Sequence, residues 1–288
     1  MKTSELFKVK TVLSFEVFPP KKTSLPDTIY KTLDQLNDLY PDFISVTYSA
    51  GGSDNSAATI AISSAIKNRY QREAVAHLTC INQSKEDVLS LLQQLEANHI
   101  ENILALRGDL NPSVSPQQDF KHASDLIAFI KAHGDFNIIA ACYPEGHGEA
   151  PSIAADIRNL KIKVETGVNH LISQLFFDNQ YFYTFLERAE CAGIDVPIEA
   201  GIMPVINKKQ IERMVTLCGV DLPKKFIKMM ERYENNPEAM RDAGIAYAVD
   251  QIVDLVAQGV DGIHLYTMNN AYIARKISEA VKSLITSP

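Results

Sequence analysis

Short apolar runs alternate along the chain with longer stretches whose apolar positions recur every three or four residues. Val12–Phe18 reads as a first strand, stopped by Pro19-Pro20, and Pro26–Leu39 as a helix with Ile29, Leu33 and Leu36 on one face. Phe43–Tyr48, Ala74–Cys80, Ile103–Leu106, Asn137–Tyr143, His170–Phe176, Pro197–Pro204 and Gly262–Thr267 have the same strand character. Ile103–Leu106 is apolar without alternation, as expected of a parallel strand covered on both faces. Helices are predicted between the strands. One follows the Gly-rich loop Ser49–Asn55, with Asn55 or Ser56 as its cap. In the next, Ser84-x-x-Asp87 resembles a capping box ahead of Val88, Leu91, Leu92 and Leu95, which share one helix face. Others cover Ser124–Ala132, Ile153–Thr166, Gln180–Cys191 and Ala271–Ile285, and Asn207–Leu217 begins a longer helical insertion running to about Gln258. Strands alternating with helices in this way predict an α/β protein, a single (β/α)8 TIM barrel spanning residues 1–288 as one domain with the helical insertion at about 207–258. A doubly wound open sheet is the alternative, but no Gly-x-Gly-x-x-Gly follows the first strand.

Composition narrows the class without changing it. The apolar fraction of 46% and charged fraction of 22% are ordinary for a globular protein. No apolar run approaches the ~18 residues that suggest a membrane span, and Met1–Lys10 lacks the apolar core of a signal peptide, so a cytoplasmic protein with no membrane association is expected. A net charge of −7 argues against a nucleic-acid partner. Cys80, Cys142, Cys191 and Cys218 are far apart, which predicts reduced thiols, neither disulfides nor a cysteine zinc site.

In a barrel the carboxyl ends of the strands form the active face. Those ends read Glu16, Thr47 with Tyr48, His77, Arg107 with Asp109, Tyr143, Gln174 and Tyr266. Any one has a duller explanation: His77 as a satisfied core histidine, Arg-Gly-Asp as a surface turn, the tyrosines as caps on the core. Together they form a ring converging on one cavity, which favours function. No strand end carries a lysine, which disfavours a Schiff-base aldolase. His77, Asp109 and His147 could approach a metal, yet no His-x-His, His-Glu-x-x-His or dense carboxylate cluster is present, and none is expected. Phe15, Val17 and Phe18 flank Glu16, and such apolar surroundings would raise a carboxyl pKa toward neutrality and suit a general acid. Asp156, Asn159 and Lys163 share one face of a helix opposite Ile153, Ile157, Leu160 and Val164. That row is either a solvated stripe or, because Tyr143-Pro-Glu-Gly-His147 precedes it, a set of partners for the ribose and diphosphate of a long cofactor.

Ser14-Phe-Glu-Val-Phe-Pro-Pro-Lys21, Thr47-Tyr-Ser-Ala-Gly-Gly52, His77-Leu-Thr, Leu106-Arg-Gly-Asp109, Tyr143-Pro-Glu-x-His147, Gln174-Leu-Phe-Phe-Asp178, Gly201-Ile-Met-Pro204 and Tyr266-Thr-Met-Asn269 follow one another in order over nearly the whole chain. In this combination the sequence resembles the methylenetetrahydrofolate reductase family, in its compact bacterial form without a regulatory domain. The resemblance implies an FAD-containing barrel that reduces 5,10-methylenetetrahydrofolate to 5-methyltetrahydrofolate with NAD(P)H, supplying methyl groups for methionine synthesis. It implies ping-pong kinetics, in which NAD(P)H reduces the flavin and leaves before folate takes the hydride from the same face. By motif, Glu16 would be the general acid that helps open the folate imidazolidine ring to an iminium cation, and Asp109 would stabilise that cation beside flavin and pterin. Gln174 and Gln210 would contact folate. Thr47, Tyr48, Ala50, His77, Arg107, Gly108, Asp109, Ala123, Tyr143, His147, Ala150, Asp156, Asn159 and Lys163 would line FAD. A homo-oligomer is implied as well. Ile162, Met214 and Asn270 depart from the family pattern, where an Arg, an aromatic residue and an Arg often stand.

Overall fold

The computed structural model describes residues 1–20, 27–48, 56–108 and 119–285. Eight parallel strands close a barrel in sequence order: β1 Val12–Val17, β2 Phe43–Val46, β3 Glu73–Thr79, β4 Asn102–Leu106, β5 Asn137–Cys142, β6 His170–Ser173, β7 Ile198–Ile202 and β8 Gly262–Tyr266. β8 closes on β1 with Glu16 opposite Tyr266, and on the other side Glu16 is opposite Ser45 of β2. The helices are α1 Asp27–Asn37, α2 Ser56–Ser64 with a π-helical continuation Ala65–Arg69, α3 Lys85–Ala97, α4 Ala123–His133, α5 Ile153–Glu165, α6 Asn179–Cys191, α7 Lys208–Cys218, α8 Lys224–Tyr233, α9 Pro237–Ala257 and α10 Ala271–Ile285. No helix among the described residues is long and apolar enough to cross a membrane.

Strand pleating sorts the side chains into two layers. Phe15, Val17, Ile44, Ala76, Ile103, Ile138 and Leu265 face outward and pack under the helices in the principal core. Val12, Phe43, Val75, Leu104, Ile139 and Ile172 point inward and fill part of the barrel. The 3-10 helix Thr3–Lys8, which the sequence pattern did not announce, lies against this inner cluster through Leu6 and Phe7. It is held there by Thr3 N–H donating to Asn102 Oδ1 at 2.8 Å and by Asn137 Nδ2 donating to Thr3 Oγ1 at 2.9 Å. Three polar residues standing just before a strand complete the ladder at this end of the barrel. Asp42, Asn169 and Asp261 accept from the backbone N–H of Leu13, Ile138 and Ile198 on the preceding strands, at 2.9, 2.8 and 2.8 Å.

The capping box of α3 is present: the Ser84 side chain accepts from Asp87 N–H at 3.1 Å, and Asp87 Oδ2 accepts from Ser84 N–H at 3.0 Å. The helical stretch after β7 resolves into three helices. α9 returns to the barrel, with Ala248, Ile252 and Leu255 in the principal core. α7 and α8 build a second apolar cluster, in which Ile211, Phe226 and Met230 join Leu175, Phe177, Met203 and Val205 beyond the ends of β6 and β7. Ile153, which the helical pattern places on the buried side of α5, is exposed, because it is the first residue of the helix and lies beyond the edge of the core.

Candidate active site

Glu16 sits at the end of β1 with its side chain 19% exposed, inside the barrel mouth. Its Oε2 lies 3.7 Å from His77 Nε2 and 3.8 Å from His264 Nε2. This corrects the picture of an apolar setting drawn from Phe15, Val17 and Phe18. Phe15 and Val17 alternate to the outer face of the strand and pack under helices, so Glu16 meets residues of β3 and β8 instead. The sequence motif Tyr266-Thr-Met-Asn269 explains how the backbone around Glu16 is held. Thr267 Oγ1 donates to the Glu16 carbonyl at 2.6 Å, while Asn269 accepts from Phe18 N–H at 3.0 Å and donates to Phe18 O at 2.9 Å. Asn269 does this at a φ of 55°, a left-handed conformation that asparagine tolerates better than most residues.

His77 is buried, and burial lowers its pKa to about 4, so the imidazole is neutral at physiological pH. Its Nε2 has no hydrogen-bond partner within the protein. Tyr266 leans across the mouth, with its ring edge-on to His264 at 5.3 Å and its hydroxyl donating to Ser173 O at 2.8 Å. Gly201 makes this possible: a Cβ there would stand 2.2 Å from Ser173 O and 2.9 Å from the Tyr266 hydroxyl. Ser173 Oγ in turn accepts from Gly201 N–H at 2.9 Å and donates to the Gln174 carbonyl at 3.0 Å, fixing the backbone where Gln174 projects.

Around this centre the β2 to β5 ends supply aromatic and cationic groups. Thr59 on α2 ties down the β2 exit by donating to Thr47 O and Tyr48 O at 3.0 and 3.2 Å, and Gln83 donates to the Tyr48 hydroxyl at 2.8 Å. Gly108 has φ of 87° and a Cβ would lie 3.0 Å from Thr79 Cβ, so only glycine fits after Arg107 without strain. Arg107 is engaged by Glu149 in a fork, Nη1 to Oε2 at 2.5 Å and Nη2 to Oε1 at 2.9 Å, and this pairing holds the Glu149 carboxyl below its ordinary pKa. Neither Glu149 nor His264 is legible as a site residue from strand ends alone; the first lies in a loop and the second one turn of pleat below the mouth.

The segment from Tyr143 to Ala150 folds back on itself. Tyr143 and His147 meet edge-on at 4.7 Å, Ala150 N–H donates to His147 O, and Asp156 Oδ2 accepts from His147 N–H at 3.1 Å. Lys163 bends inward from α5 to donate to Ala141 O at 2.9 Å, and burial lowers its pKa. The row Asp156, Asn159, Lys163 therefore splits: Asp156 and Lys163 are drawn onto the barrel end, whereas Asn159 is exposed. Ile162 is 58% exposed on the same helix. Glu145 reaches across to the insertion, its Oε2 accepting from Asp221 N–H at 2.8 Å, and burial raises its pKa to about 7.

Gln174 turns its Oε1 back to Leu175 N–H at 2.9 Å, and Gln210 stands on α7, where its Oε1 caps Ile206 N–H at 3.3 Å. Ala123 opens α4. Ala50 and Asp109, with the rest of the Ser49–Asn55 loop and Lys21, lie outside the described residues. Among the described residues no group of three His, Cys, Asp or Glu side chains is placed to hold a metal ion.

A closed barrel bearing a carboxylate between two imidazoles at its strand ends, with aromatic and cationic side chains around it, has the architecture of the (β/α)8 enzyme class. The sequence model of the family Methylenetetrahydrofolate reductase matches residues 2–282, and the chain belongs to that family. It is an oxidoreductase of folate metabolism that reduces methylenetetrahydrofolate. It is 39% identical over 265 residues to 5,10-methylenetetrahydrofolate reductase of Pectobacterium carotovorum, covering 92% of this chain and 88% of that one. The Escherichia coli protein of the same name is 38% identical over 266 residues with the same coverage. Methylenetetrahydrofolate reductase (NADH) 1 of Arabidopsis thaliana is 35% identical over 275 residues, which span 90% of this chain but 46% of the plant protein. Among solved structures, an uncharacterized protein from Clostridium thermocellum that binds two copies of 5-methyl-5,6,7,8-tetrahydrofolic acid superposes with a TM-score of 0.64 at 12% identity, over 99% of both chains. At that identity the likeness is one of fold.

Proposed function

We propose that the chain is an FAD-dependent reductase that converts 5,10-methylenetetrahydrofolate to 5-methyltetrahydrofolate at the expense of NAD(P)H, with the two substrates using one site in turn, and that its product feeds methionine synthesis. The observation that carries this reading is the placing of Glu16 between His77 and His264 at the barrel mouth. The donor set also suits FAD. His77 Nε2 is a buried polar atom without a protein partner, and Arg107 and Lys163 offer cationic groups at neighbouring strand ends. Tyr48, His77, Arg107, Gly108 and Tyr143 would hold the flavin side of the cofactor. His147, Asp156, Asn159 and Lys163 would hold its ribose and diphosphate side, with Thr47, Ala50, Ala123 and Ala150 as lining. Bound FAD would supply the hydride carrier that the side chains of the protein cannot.

The protein's own contribution is proton chemistry and charge. Protonated Glu16 delivers a proton to a folate nitrogen as the imidazolidine ring opens, leaving Glu16 as carboxylate and the substrate as an iminium cation. His77, neutral at physiological pH, places no positive charge beside that cation. Asp109 is assigned to stabilise it, and Gln174 and Gln210 to orient the folate. We assign a homo-oligomeric state by the same family reasoning.

The test is an anaerobic visible spectrum of the purified protein, first alone, then with NADH or NADPH, then with methylenetetrahydrofolate. A flavin spectrum that bleaches with a reduced nicotinamide and returns with folate is the expected result. A protein that is colourless and takes up no added FAD overturns the cofactor assignment. A bleached flavin that methylenetetrahydrofolate leaves unchanged overturns the substrate assignment.

A further inference from the structure

Below the mouth, the barrel interior holds a column of polar side chains that leads up to His264 and, below it, has no assigned part in the proposed reaction. Glu199 on β7 is 0% exposed, and its Oε1 accepts from Ser14 Oγ at 2.7 Å. The same Ser14 Oγ lies 2.6 Å from His264 Nδ1. The other nitrogen of that ring, Nε2, faces Glu16 Oε2 at 3.8 Å, with Ser45 Oγ at 3.5 Å. A carboxyl, a hydroxyl and an imidazole therefore stand in line from the centre of the barrel to the carboxylate at its mouth. We propose that Glu199, Ser14 and His264 form an internal proton line to Glu16, in which Glu199 is a buried proton store and Ser14 and His264 are positioning residues. The inference rests on the assignment of Glu16 as the acid.

A serine hydroxyl has one hydrogen, so the two short contacts at Ser14 cannot both be donated by it. When Glu199 carries a proton, it donates to Ser14 Oγ, Ser14 donates to His264 Nδ1, and the ring proton sits on Nε2, facing Glu16 as a donor. When Glu199 is ionised, Ser14 donates to it, His264 Nδ1–H donates to Ser14, and Nε2 is bare, facing Glu16 as an acceptor. The two states differ by one proton shifted along the line. Glu199 O–H breaks as Ser14 gains that proton, the hydroxyl proton of Ser14 passes to Nδ1, and the Nε2 proton passes to the Glu16 carboxylate. One proton leaves Glu199, one arrives at Glu16, and no charge is created or lost. A shift of about 1 Å by the Glu16 carboxylate brings its last gap to hydrogen-bond length.

Burial and nearby negative charge favour the protonated form of Glu199, and together they outweigh the Ser14 hydrogen bond, which favours the carboxylate. His170 on β6, whose Nε2 is 3.8 Å from Glu199 Oε2, is itself enclosed and neutral, its pKa lowered to about 3 by burial. Ser14 on β1 is an uncharged partner, and Asp42 and Asp261 at the far end add negative charge. Burial is the leading cause that raises the Glu199 pKa to about 8. Its Oε2 has no partner in the protein, as expected of a site built to hold a neutral carboxyl. The line then lets Glu16 recover a proton while a stacked substrate shuts the mouth to water.

Pre-reduced holoenzyme would be mixed rapidly with methylenetetrahydrofolate between pH 6 and 9, for the parent, Glu199→Gln, Ser14→Ala and the hydroxyl-restoring Ser14→Thr. Expected is a folate step that stays level in the parent to about pH 8 and falls by about tenfold per pH unit in Glu199→Gln and Ser14→Ala, with Ser14→Thr recovering the level profile. Nitrogen-15 NMR of the His264 side chain in the oxidised holoenzyme, without turnover, supplies the second readout. In the parent the protonated nitrogen changes from Nε2 to Nδ1 as Glu199 ionises, and in Glu199→Gln the assignment holds fixed across the range. Unchanged pH profiles in Glu199→Gln and Ser14→Ala, or a His264 tautomer indifferent to Glu199, overturn the proton line. A parent that does not oxidise with folate at any pH overturns the proposed function instead, and the NMR titration still judges the line.

Discussion

The inside of the barrel contains two unlike sectors. In one, Val12, Phe43, Val75, Leu104, Ile139 and Ile172 fill the space with apolar volume against the N-terminal 3-10 helix. In the other, Ser14, Ser45, His170, Glu199 and His264 are equally inaccessible yet polar. An apolar sector asks only for shape, and its residues could be exchanged for others of similar volume at small cost. A polar sector must satisfy every donor and acceptor, and this one does not: both ring nitrogens of His170 and one oxygen of Glu199 lack partners. Burying such groups costs stability. The sector that is worse for folding is the one that runs to Glu16, which is what a site selected for chemistry looks like.

The largest effect expected from breaking this contrast is on the chemical side. Glu16→Gln keeps the size of the side chain and removes the proton. The reduced enzyme should therefore lose about 10²–10⁴-fold in the rate of reaction with methylenetetrahydrofolate, the usual worth of a positioned acid. Stopped-flow mixing measures it, and a rate within a few fold of the parent would remove Glu16 from the role of acid. On the apolar side, Phe43→Ala deletes a fully buried ring and should cost about 3–5 kcal/mol of stability in urea denaturation. A loss below about 1 kcal/mol would mean that the inner cluster is not tightly packed.

The two sectors also differ in how much of them the sequence discloses. The βα alternation of apolar runs predicts a closed (β/α)8 barrel, and the structure has one. The capping box at Ser84 and Asp87 is present as well, because such local signals need no knowledge of distant residues. Strand ends such as Glu16, His77 and Tyr266 follow from the same alternation, and their side chains lie around one mouth. What stayed hidden depends on pairing between strands remote in the chain. Ser14, Glu199 and His264 come from three strands up to 250 residues apart, and each alone reads as an isolated polar residue in an apolar run. The supposed apolar setting of Glu16 failed for a related reason, since neighbours in a strand point to opposite faces. The Thr3–Lys8 helix is not legible in the sequence because its few apolar residues show no periodicity until the barrel gives them a surface.

A smaller and sharper separation of the sectors comes from pH. Glu199 has a folded-state pKa raised from its ordinary 4.5 to about 8, chiefly by burial, so between those values the folded protein holds a proton that the unfolded chain has released. The stabilising contribution is whole below pH 4.5 and is lost as pH rises toward 8, with a slope of up to about 1.4 kcal/mol per pH unit. His77 and His170 act in the opposite direction. Their lowered values, about 4 and about 3, mean that stability is lost as pH falls below 6.5, where the unfolded imidazoles bind protons first. Replacing Glu199 with Gln removes the first effect and leaves the second. Urea denaturation at pH 5 and pH 8 should show the parent losing stability toward the higher pH relative to Glu199→Gln, whereas below pH 5 both proteins should weaken together. Phe43→Ala should lower both curves, and because its ring borders His170 at 6.1 Å it should also soften the acid-side loss by opening that imidazole to water. Parallel parent and Glu199→Gln curves between pH 5 and 8 would mean that Glu199 is already ionised within the barrel. The proton line would then have no store.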